Sequence, residues 1–91
     1  MNIQNQAHLD PNISTDEYGN QTITCYSVVT DRDMGSYRLL HCPLSPNFRT
    51  VQERDEFAKS ITDIGAYKVR QEFCIFEDTD VEGLLQDIFG E

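Results

Sequence analysis

The run Gln21-Thr22-Ile23-Thr24-Cys25-Tyr26-Ser27-Val28-Val29-Thr30 decides the architecture. β-Branched and aromatic residues fill it, side chains that suit a pleated surface and lose rotamer freedom in a helix, so it is predicted to be a strand. Asp31-Arg32-Asp33-Met34-Gly35 follows with turn chemistry, Gly35 being free to take positive φ. Ser36 to Cys42, SYRLLHC, then reads as a second strand folding back as an antiparallel hairpin. Pro43 and Pro46 stop it, because proline cannot donate to a ladder.

Outward from the hairpin, Thr50-Val51-Gln52-Glu53 matches a capping box. Val51, Phe57, Ala58, Ile61 and Ile64 fall on one helical face, and Gly65 stands where a left-handed residue ends a helix. Residues 66–76, AYKVRQEFCIF, read as a third strand. Tyr67, Val69, Phe73 and Ile75 share one face, and Lys68, Arg70, Glu72, Cys74 and Phe76 the other. That second face is charged early and apolar late, as if the last helix covered its end. Thr79-Asp80-Val81-Glu82 is a second capping box, and Val81, Leu84, Leu85, Ile88 and Phe89 form one apolar stripe behind it. Gly83 should weaken that helix by about 1 kcal/mol relative to alanine.

The expected fold is a small α+β domain over 21–91, in the order β-β-α-β-α. Its antiparallel sheet has three to four strands, with both helices on one face. Residues 1–20, polar and poor in large apolar side chains, read as a flexible arm, and a fourth strand would have to come from it.

Charge carries the functional argument. The 91 residues hold 16 acids and 7 bases, a net charge of −9. All the bases lie in 21–76, balanced there by seven acids, so the excess sits at the two ends. Residues 77–91 contribute Glu77, Asp78, Asp80, Glu82, Asp87 and Glu91 with no base. Such a chain is unsuited to binding nucleic-acid phosphates directly. No run of 18 apolar residues suggests a membrane span, and MNIQNQAHLD has neither the charge nor the apolar run of a secretory signal. A cytoplasmic protein with free thiols at Cys25, Cys42 and Cys74 is therefore expected.

No motif assigns an enzyme. A zinc site from Cys25, His41, Cys42 and Cys74 would need three strands to converge, and the adjacent His41 and Cys42 should point to opposite faces. A cysteine nucleophile would depend on His41 alone, in an acidic setting that raises a thiol pKa. Asp78 to Gly83 resembles the start of a calcium loop, but its twelfth position is Phe89 and the same residues cap a helix. No catalytic residue, metal or cofactor is expected.

What remains is a non-catalytic acidic interaction protein. The expected role is a stoichiometric inhibitor, a nucleic-acid mimic of the kind found among phage or plasmid anti-defence and immunity proteins. It would dock residues 77–91 on a basic, nucleic-acid-binding or nuclease-type surface of a larger protein. The alternative is an adaptor that joins a complex through the apolar stripe of its last helix. A homodimer stays open, since a hairpin edge can pair with itself.

Overall fold

The computed structural model of the chain describes residues 10–90. Its elements are β1 (Ile13–Thr15), β2 (Gln21–Asp33), β3 (Arg38–Pro43), α1 (Val51–Ala58), β4 (Tyr67–Ile75) and α2 (Val81–Phe89). The result is a small α+β fold with a four-stranded antiparallel sheet, in the order β-β-β-α-β-α. The stretch that reads most strongly as a strand, β2, is the centre of the sheet. One of its edges carries β4 over the register Gln21↔Ile75 to Val29↔Tyr67. The other carries β1 at its start, a single bridge from Tyr26 to Phe48, and β3 at its end.

A strand so placed is buried on both faces. Ile23, Cys25 and Val29 are buried on one side, Thr24, Val28 and Thr30 on the other. The polar members are satisfied: the Thr30 hydroxyl donates to the Gly65 carbonyl at 3.2 Å. Where neither β3 nor the bridge supplies an acceptor, the Val28 amide donates to Ser45 Oγ at 2.9 Å.

Both faces need cover, and each helix supplies one. Leu84, Leu85, Ile88 and Phe89 of α2 pack with Ile13, Phe73 and Ile75 around Ile23 and Cys25. α1 lies on the opposite face, with the Arg54 guanidinium 5.4 Å above the Tyr26 ring and Asp55 paired with Lys68 at 3.2 Å. The expectation of two helices on one face is thus corrected, because a central strand buried on both sides needs cover on each. The late part of the Lys68 face of β4 is not covered by α2 either: Cys74 is exposed and Phe76 is 69% exposed.

Three local boundaries differ from expectation. The hairpin ladder runs on to Asp33↔Arg38, and Met34 to Tyr37 makes the turn, with Gly35 at φ 91°. In that ladder Asp31 stands opposite both Leu40 and His41, a bulge that places His41 at φ 56°. α1 ends at Ala58, well short of Ile64, which is fully exposed. After it the amides of Lys59, Ser60 and Ile61 bond three residues back, the Ser60 hydroxyl donates to the Phe57 carbonyl, and Asp63 accepts from the Gly65 amide. These short polar bonds offer the backbone an alternative to another helical turn.

The arm expected over 1–20 begins outside the described residues, but 10–20 belongs to the fold. Asn12 is buried, its side-chain amide donating to the carbonyls of Thr24 and Arg49 at 2.9 and 2.8 Å. Asp16 closes the following turn by accepting from the amides of Tyr18 and Asn20, and Gly19 takes φ 84°. Ile13 alone supplies core apolar surface; side-chain to backbone bonds do the rest.

Candidate functional site

The acidic end is built from β4 outward. The amide of Phe76 donates to the Thr79 hydroxyl at 2.8 Å, and the Thr79 amide returns to the Phe76 carbonyl at 3.0 Å. This closed turn presents Glu77 and Asp78 to solvent. Thr79 is thereby occupied, so the expected Thr79–Glu82 capping box does not form. Asp80 is the N-cap, its carboxylate accepting from the Gly83 amide at 3.2 Å. Gly90 closes the helix in the left-handed conformation at φ 70°, its amide bonded to the Gln86 carbonyl.

Glycine at position 83 now has a reason. A Cβ there would run into the Asp80 carboxylate, so the cap and the glycine belong to one arrangement.

Along α2 the apolar stripe is engaged within the chain, Ile88 being buried against Ile23 and Cys25. Glu82 and Asp87 flank the outward arc, about 140° apart around the axis. Glu77, Asp78, Asp80, Glu82 and Asp87 are all exposed, and none of them forms an ion pair among the described residues. Glu91 lies outside the described residues. Like charges are thus gathered on the turn and the outer side of one short helix, with cations held elsewhere.

Those cations are mostly engaged. Arg49 pairs with Asp10 at 2.7 Å, donates to Asn12 Oδ1 at 2.8 Å and lies 4.3 Å over the Phe89 ring. It so ties the segment before β1 to the end of α2. Burial alone would raise the Asp10 pKa, but the Arg49 guanidinium and the Asn12 amide hold it below the usual carboxylate value. Asp55 is lowered chiefly by its bond from Lys68, with Arg54 on its other side.

A second polar group, which sequence reasoning missed, surrounds the bulge. Asp31 accepts from the Tyr67 hydroxyl at 2.7 Å and from the His41 amide at 3.1 Å, and Arg38 approaches it at 3.6 Å. The Tyr67 bond lowers the Asp31 pKa and raises that of the phenol. Only the tertiary pairing of β2 with both β3 and β4 brings these residues together; an Asp after a strand otherwise signals just a turn.

The candidate zinc ligands are separated. Cys25 points into the α2 face, its thiol raised by burial, while Cys74 stands on the opposite face of the sheet. All three cysteines are free. Among the described residues no group of three or more His, Cys, Asp or Glu side chains could hold a metal ion. Nor is any helix among them long and apolar enough to cross a membrane.

No family model matches the chain, and neither a curated protein nor a solved structure matches it.

Proposed function

We propose that this protein is a non-catalytic, stoichiometric inhibitor. Its acidic turn and α2 dock on a basic surface of a larger protein, of the kind that binds nucleic acid or belongs to a nuclease. The observation carrying this reading is the exposed set Glu77, Asp78, Asp80, Glu82 and Asp87, without an ion pair among the described residues and without an intervening base. Closely spaced carboxylates on a fixed helix resemble the charge density of a phosphate backbone, and a basic groove would steer them in. Since the apolar stripe of α2 is engaged inside the fold, charge rather than apolar area is the property this end offers a partner.

The test is a pull-down with the whole chain as bait, at low and at high ionic strength, beside a Glu82→Lys/Asp87→Lys variant. Asp80 is left in place because it caps α2. A basic protein should be captured at low salt, released at high salt and lost on charge reversal, and the bait should compete with nucleic acid for it. Equal capture by the reversed variant would reject the reading.

A further inference from the structure

The sheet has two outer edges of different character. β3 is bulged at His41 and ends in Pro43, features that spoil an edge for further pairing. β4 has neither, and among the described residues its nine-residue length pairs with β2 alone. Which of its groups are free follows from β2. Thr24, Tyr26 and Val28 turn their backbone groups toward Asn12, Phe48, Leu44 and Ser45. Ile23, Cys25, Ser27 and Val29 therefore face β4, opposite Phe73, Gln71, Val69 and Tyr67. The amides and carbonyls of Lys68, Arg70, Glu72 and Cys74 point to the open edge.

Such an edge invites another strand, and charges are the usual deterrent. Here they are arranged to match their own two-fold image. We propose that β4 pairs antiparallel with β4 of a second copy of this chain, about a two-fold axis at Gln71. In that register Arg70 lies opposite Glu72 of the second copy, and Glu72 opposite its Arg70. Lys68 meets the second copy's Cys74, and all four outward residues of each copy find hydrogen-bonded partners. On the α2 face Val69 meets Phe73 and Tyr67 meets Ile75.

The choice of register is sharp. A two-fold axis normal to the sheet keeps each face continuous, so the axis must lie midway between one residue and the same residue of the second copy. Placing it at Val69 sets Lys68 against Arg70, while Arg70 or Glu72 on the axis faces its own copy. Placing it at Phe73 shortens the ladder and leaves Arg70 without a carboxylate. Only Gln71 gives full overlap with every opposed pair of charges opposite in sign. Arg70 and Glu72 already touch within one strand at 2.6 Å, so the junction becomes a four-membered ring of alternating charge. A junction of two short edges is smaller than a standard interface, and the dimer should be concentration-dependent.

Sedimentation of the full chain over a wide concentration range tests this. The protein should pass from 10.5 kDa to twice that mass as concentration rises. Arg70→Glu and Glu72→Arg should each weaken the dimer by roughly tenfold or more, since each sets like charges opposite one another twice. An equimolar mixture of the two variants should dimerise again, as should the chain carrying both changes. Arg70→Pro removes an N–H that β2 does not use, so it should leave a folded monomer by circular dichroism and abolish the dimer. A wild-type chain that stays monomeric throughout overturns the proposal. So do reversals that dimerise like wild type, a mixture that fails to recover, or a dimeric Arg70→Pro chain.

Discussion

α2 rests on one face of the sheet through Leu84, Leu85, Ile88 and Phe89, against Ile23 and Cys25. α1, on the other face, has no buried residue. It is held by an arginine that stacks on Tyr26 and donates to the Val69 carbonyl at 3.1 Å, a Phe48–Phe57 ring contact at 5.4 Å and the Asp55–Lys68 ion pair. Both faces of β2 are covered, but one helix is seated by apolar burial and the other by polar and ring contacts. The α2 contact supplies free energy through area removed from water, which is non-directional and large. The α1 contact supplies position through directed bonds whose net worth is small, because each replaces a bond to water. The exposed carboxylates of Glu82 and Asp87 are accordingly mounted on the helix with the apolar anchor.

The largest loss of stability should come from the apolar contact under α2. Ile23 is fully buried, and Ile23→Ala leaves a cavity between the sheet and α2. We expect a loss of about 3 kcal/mol in urea unfolding. A loss below about 1 kcal/mol would mean that α2 does not close over the sheet.

At the α1 contact the corresponding change is Arg54→Ala. The side chain is only 13% exposed, and it contributes the Val69 bond and the ring contact together. We expect about 1–2 kcal/mol, less than the isoleucine although the arginine makes more nameable contacts. If Arg54→Ala costs more than Ile23→Ala, the polar contacts of α1 outweigh the apolar seat of α2.

How far the sequence disclosed this division depends on the kind of signal. β2 and the α2 stripe were legible because burial imposes a period on apolar residues, and that period survives in one dimension. The N-cap of α1 was legible too: the Glu53 amide donates to Thr50 Oγ1 at 3.1 Å. The length of α1 was not, because Ile61 and Ile64 continue the helical spacing while Ser60 and Asp63 bond locally and end it. Residues 10–20 were missed for a related reason. Their order rests on Asn12, Asp16 and Asp10, polar side chains whose partners lie as far away as Arg49. For the acidic end, the identity and exposure of Glu77, Asp78, Asp80, Glu82 and Asp87 were readable as a run without bases. The capping duty of Asp80 was masked by Thr79, which fits the same motif one residue earlier. The complementarity of β4 was in plain sight as Arg70-Gln71-Glu72, but it has meaning only once Lys68 to Cys74 is known to form an open edge.

The smallest effect concerns how the acidic surface joins its helix. Gly83→Ala ordinarily stabilises a helix by about 1 kcal/mol, because alanine loses less backbone entropy. Here the added Cβ meets the Asp80 carboxylate, which must swing aside and release the Gly83 amide. A lost N-cap costs about 1 kcal/mol, so the two effects nearly cancel and the single variant should be close to neutral. Asp80→Ala alone should cost about 1 kcal/mol by removing the cap. With the carboxylate gone, Gly83→Ala has nothing to displace and should recover about 1 kcal/mol. The double-mutant cycle by urea unfolding should therefore show a coupling of about 1 kcal/mol between two positions that the sequence presents as a helix former's mistake and a spare acid. Simple additivity would mean that the Asp80 carboxylate does not cap α2.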